Sequence, residues 1–288
     1  MSLRRRLPRH SLPTPWRAAL ALTVGSLVLA GCAALRQGVK IDGPAGRLAV
    51  DDGGSGGIPV LLVHSFAGSS AHWHGQLEHL RATRRAVAMD LRGHGGSDAP
   101  AGNAYAVSAL ADDIGAVADR LELRRFVLVG HSMGGAAAIA YAGRNPDRVA
   151  GLVMVGTPGK AAPMQAQQIM AALNADYDKT MAGYWDLLLA DARPEVRQRL
   201  EAARTRVPRE ASMAIIAAIF AFDPLPVLAA YPGPKLIVDA ARGDQPNALF
   251  RQAPGIEHRL IPASSHWVQL DQPQAFEQLL DAFLSQVR

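Results

Sequence analysis

Phe126-Val127-Leu128-Val129-Gly130-His131-Ser132-Met133-Gly134-Gly135 decides the reading of this chain. Four apolar residues of strand type run into a serine set between two glycines, and an alanine-rich helical segment follows from Ala136. A serine at so sharp a strand-to-helix turn takes a strained backbone, and glycines two residues to either side let the neighbouring chain pass without a side-chain clash. An ordinary glycine turn with a capping serine would need neither glycine at that spacing. The pattern therefore presents Ser132 as a candidate nucleophile.

Working outward, short apolar runs at residues 59–63, 86–89, 126–129, 152–155, 235–238 and 258–261 read as buried strands. Residues 39–41 and 48–50 read as the strands of a glycine-linked hairpin. Between them, residues 71–80, 107–121, 133–142 and 273–285 carry apolar residues at helical spacing. Such alternation implies a mostly parallel sheet with helices on both faces, an α/β architecture. Residues 161–222 break the rhythm, with helical patterning and no strand run, and read as an insertion. The prolines at 224, 226, 232 and 234 read as punctuation before the return to the sheet.

Four landmarks in order resemble the α/β-hydrolase fold family, in its helical-cap branch related to bacterial esterases and carbon-carbon bond hydrolases. They are Leu62 to Phe66, Asp90 to Asp98, the Ser132 turn, and His266-Trp267-Val268. The resemblance runs from about Arg47 to the C-terminus and implies an eight-stranded, mostly parallel sheet with a helical cap at about 160–223. It implies His266 as the base that activates Ser132, and backbone N–H groups of Phe66 and Met133 as the oxyanion hole. It also implies an acid after the seventh strand. Asp244 in Arg242-Gly243-Asp244-Gln245-Pro246 is the first choice, with Asp239 at the strand end as its rival. Two departures from the family pattern stand out, Ala240 where a glycine is usual and Ser65 where His-Gly is usual before the oxyanion residue. Asp90, Arg92 and His94 are expected to serve the scaffold.

The N-terminal residues read as an address. Arg4, Arg5, Arg6, Arg9 and Arg17 precede a 13-residue apolar stretch at 18–30, too short for a bilayer core that needs about 20 helical residues. It ends Leu29-Ala30-Gly31-Cys32, which resembles a bacterial lipoprotein cleavage site, and Cys32 is the single cysteine. Expected are a signal peptide at 1–31, lipid on Cys32, a spacer at 32–46 and the hydrolase domain at 47–288. With Ala33 following Cys32, the expected location is the outer membrane facing the periplasm. The formal charge is +5, but outside those first residues 25 basic groups face 25 acidic ones, so nucleic acid is not an expected partner. His72, His74 and His79 lack metal-ligand spacing, and neither a metal nor another cofactor is expected.

The expected activity is carboxylic ester hydrolysis through an acyl-enzyme, on a small and partly apolar substrate. A serine in place of an aspartate argues against epoxide hydrolase and dehalogenase chemistry, which need an alkyl-enzyme ester. Carbon-carbon bond hydrolysis, acyl transfer and perhydrolysis run on the same residues and stay open. A binding lipoprotein that has kept the fold is the reading outside enzymes.

Overall fold

Eight strands form one sheet in the order β1-β2-β4-β3-β5-β6-β7-β8. The computed structural model describes residues 38–245 and 247–288, so the expected signal peptide at 1–31 and Cys32 lie outside the described residues. β1 (Val39–Gly43) and β2 (Gly46–Gly53) make the hairpin, and β2 pairs antiparallel with β4 (Ala86–Met89). The remaining pairings are parallel, through β3 (Val60–Val63), β5 (Phe126–His131), β6 (Val149–Val155), β7 (Lys235–Ala240) and β8 (Glu257–Ile261). This is the α/β-hydrolase arrangement expected from the sequence.

β3, β4, β5 and β6 are buried along their whole length, as strands covered on both faces must be. On one face, α1 (His74–Arg81) and α11 (Pro273–Gln286) bring Leu77, Leu80, Phe276 and Leu280 against Leu62 and Val129. On the other, α2 (Val107–Arg120) and α3 (Met133–Arg144) bring Ile114, Val117 and Ala137 against Val63 and Leu128. β8 is exposed except at Ile261 and carries Glu257 and Arg259, charges that keep an edge strand from pairing with another chain.

Five helices lie between β6 and β7: α4 (Pro163–Ala175), α5 (Tyr177–Leu188), α6 (Pro194–Glu201), α7 (Arg209–Ala221) and α8 (Pro224–Ala230). The last was read from sequence as proline punctuation. Asp223 caps it by accepting the Leu225 N–H at 3.1 Å, and Pro224 takes the first helical position, where its missing N–H has no acceptor to lose. Two one-turn helices, α9 (Leu249–Gln252) and α10 (Val268–Asp271), flank β8 and complete the C-terminal region.

Candidate active site

Ser132 sits between β5 and α3 with φ 53° and ψ −113°, a conformation that a side chain rarely tolerates. Close packing on the glycines holds it there. A Cβ on Gly130 would lie 2.4 Å from the Gly134 carbonyl oxygen, and one on Gly134 would lie 2.4 Å from the His64 oxygen. The elbow is thereby pressed against the end of β3, whose following turn carries Phe66. The Ser132 N–H donates to the Val155 carbonyl at 2.8 Å, which fixes the elbow against the end of β6 as well.

The two expected oxyanion donors flank this point. Met133 is the first residue of α3, in the turn whose N–H groups have no carbonyl four residues back. Phe66 lies in a turn closed by the Gly68 N–H on the Ser65 carbonyl at 3.0 Å. His64 braces that turn from below. Its Nδ1–H donates to Ser65 O at 2.7 Å while its Nε2 accepts the Leu91 N–H at 3.0 Å, an arrangement only the neutral ring can make. The hydroxyl of Ser65 turns to its own loop, on Phe66 O.

His266 comes to the same edge of the sheet. Its ring lies 4.8 Å, centre to centre, from that of His131, the residue before Ser132. Its Cε1 and Nδ1 pack over Gly156, where a Cβ would meet them at 2.8 and 3.0 Å. Gly156 follows Val155 directly and has φ 52°, so a side chain there is both strained and obstructed. Burial lowers His266 to about 4, which keeps the imidazole neutral and able to take a proton at neutral pH. Its Nε2 is buried without a hydrogen-bond partner in the protein.

The acid is where the structure departs from expectation. Asp244 is exposed, and its carboxylate pairs with the Arg251 guanidinium, which holds it below the usual carboxylate range. The structure does not bring Asp244 to the His266 ring, because the turn after β7 directs it outward to α9. Asp239 is instead 7% exposed at the end of β7. The Gly156 N–H donates to Val238 O at 2.9 Å, so Asp239 is the residue that follows the β7 partner of that glycine. Burial without a counter-charge pushes Asp239 up to about 8.

Other sequence candidates have structural work. Asp90 accepts the Ser70 N–H at 2.6 Å and the Gly96 N–H at 2.7 Å. Arg92 forms a buried pair with Asp113, and His94 bonds to Arg92 O through Nδ1. His72, His74 and His79 do not converge: His72 is buried, His74 faces Glu78, and His79 meets Asp281. Sequence reasoning missed Asp271, buried in α10 and bonded to the loop that carries His266; its five-residue spacing from the histidine was the available signal.

Residues 58–209 match the family model described as alpha/beta hydrolase fold. The chain belongs to that family. It is 30% identical, over 81% of its length and 65% of the relative's, to the dihydrolipoyllysine-residue acetyltransferase component of an acetoin cleaving system from Pseudomonas putida. It is 41% identical over 106 residues, 36% of its length and 38% of the relative's, to a 2-hydroxy-6-oxo-2,4-heptadienoate hydrolase from a strain of that species. It thus spans less than two thirds of either relative. A thermophilic esterase from Thermogutta terrifontis superposes with a TM-score of 0.74 at 28% identity, over 86% of this chain and 98% of that one. The second of these relatives is a hydrolase and the superposed structure an esterase.

Proposed function

We propose that the protein hydrolyses carboxylic esters of small, partly apolar substrates through an acyl-enzyme on Ser132. The observation that carries this reading is the elbow: a hydroxyl on a left-handed turn, with a neutral buried imidazole beside its neighbouring residue. Ser132 Oγ attacks the carbonyl carbon as His266 Nε2 takes the hydroxyl proton, and the oxyanion accepts the Met133 and Phe66 N–H groups. His266 returns the proton to the departing alkoxide, and a water molecule repeats the sequence to free the acid. Asp239, buried at the end of β7, is the acid that suits His266 better than the exposed, Arg251-paired Asp244. The likeness to an esterase supports the ester reading. Met181 and Trp185 of the cap are buried, the latter stacked on Trp267, so they do not line an open acyl site.

The test is a fluorophosphonate probe with p-nitrophenyl esters of graded chain length. Wild type labels and turns over; Ser132→Ala does neither, losing several orders of magnitude in kcat. Labelling that survives Ser132→Ala would refute the assignment.

We also propose that Cys32 carries a lipid anchor and holds the enzyme to a bacterial membrane, facing the periplasm from the outer membrane. Arg4 to Cys32 supports this by its charge, apolar length and terminal motif. Cys32→Ala is expected to move the protein to the soluble fraction.

A further inference from the structure

The loop that carries His266 is bonded on every side, and the cap supplies two of the bonds. The His266 N–H donates to the carbonyl of Leu188, the last residue of α5, at 3.1 Å. The His266 carbonyl accepts His131 Nε2–H at 3.0 Å. On the residue before, the Ser265 N–H and Oγ–H both donate to Asp271 Oδ2, at 2.9 and 2.5 Å. On the residue after, the Trp267 N–H donates to Ser265 Oγ at 3.2 Å, while the indole of Trp267 stacks on Trp185 of α5 with ring centres 5.5 Å apart. The other oxygen of Asp271 reaches into the cap and accepts the Arg193 N–H, at the start of α6, at 2.9 Å.

We propose that Asp271 is a positioning residue whose carboxylate ties the His266 loop to the cap, so that the base is aimed only while the cap segment from Leu188 to Arg193 is seated. The inference rests on His266 being the base.

The chemistry of the group argues for this role. Asp271 is 2% exposed, and no guanidinium or ammonium neutralises it: the Arg193 side chain turns to Glu195 and to Leu270 O. Its partners are two backbone N–H groups and a hydroxyl. For stability alone, a well-packed apolar side chain serves as well as a buried charge. A carboxylate gives what an apolar group cannot, two acceptor oxygens at fixed separation that join two segments of backbone. An asparagine keeps one acceptor and turns an NH2 toward donors, so it breaks one of the two links while keeping the volume.

The experiment compares Asp271→Asn, Ser265→Ala and their double variant by kcat, KM and thermal melting, with p-nitrophenyl acetate as substrate. A displacement of the base of about 1 Å costs up to a hundredfold in rate. Asp271→Asn is therefore expected to lower kcat about 10- to 100-fold, with KM and the fraction of folded protein unchanged. The double variant is expected to be no slower than the slower single, because both act through one bond network. An unchanged kcat, a loss that only tracks unfolding, or additive losses would overturn the proposal. Should Asp271→Asn not fold, Ser265→Ala alone decides by the same criteria. Ser132→Ala and His266→Ala serve as controls: residual activity in those defeats the reading of the site, whereas their inactivity beside an unimpaired Asp271→Asn defeats only this inference.

Discussion

Two groups at the C-terminal edge of the sheet depart from their ordinary proton affinities in opposite directions, and desolvation is the cause of both. His266, lowered to about 4, sheds its proton well below neutrality, so kcat/KM is expected to rise with an acid limb near pH 4. Asp239, raised to about 8, binds its proton more tightly in the folded protein than in the unfolded chain. Its burial thus costs stability progressively as pH rises from about 4 to about 8. Asp239→Asn is expected to melt higher than wild type at pH 8 and level with it at pH 4. As the acid proposed for His266, the same variant is also expected to lower kcat on the order of ten-thousandfold. Asp244→Asn is expected to leave kcat near the wild-type value, since it only frees Arg251 at the surface. Full activity in Asp239→Asn, with loss in Asp244→Asn, would return the role to the turn. Gly156→Ala is expected to cut kcat as well, because its methyl group would occupy the space of the imidazole.

The elements follow closely from local sequence, and the exceptions have identifiable causes. The apolar runs became β3 to β7 because each is short, dense and bounded by polar or glycine-rich chain, whereas β8, expected to be buried, is an exposed edge strand covered only at Ile261. The elbow was legible because its glycines answer contacts between adjacent elements. Gly134→Ala would drive a methyl group to within 2.4 Å of the His64 oxygen, where only backbone can give way. Overpacking of this kind costs about 1–3 kcal/mol, so a clear drop in melting temperature is expected. The acid was harder to read. Which of Asp239 and Asp244 turns inward depends on the twist of β7 and on Arg251 seven residues later, and neither is written in a motif. α8 was misread because proline ends a helix in one position and opens it in another; Asp223 before Pro224 marks the opening. Asp271 was missed because, apart from its spacing from His266, one of its partners is a backbone N–H of Arg193 in the cap, which has no signature in sequence.

Across the whole molecule, polar groups in the interior connect segments far apart in the chain. Arg92 and Asp113 are 4% and 0% exposed by side chain, and the guanidinium also donates to the Ala104 and Ala109 carbonyls. Removing one member of a buried pair strands the other, at a cost of about 3–5 kcal/mol. Asp113→Ala is expected to destabilise the fold by that order in denaturant titration, while fluorophosphonate labelling of the folded fraction stays normal. A chain of amides runs from Glu277 through Gln76 and Gln269 to His131, and so to the carbonyl of His266. The Leu188 carbonyl, which receives the His266 N–H, has a practical corollary for engineering. Chimeras that exchange the cap helices would also exchange an anchor of the His266 loop, so a transplanted cap serves only if it offers an oxygen at that same point.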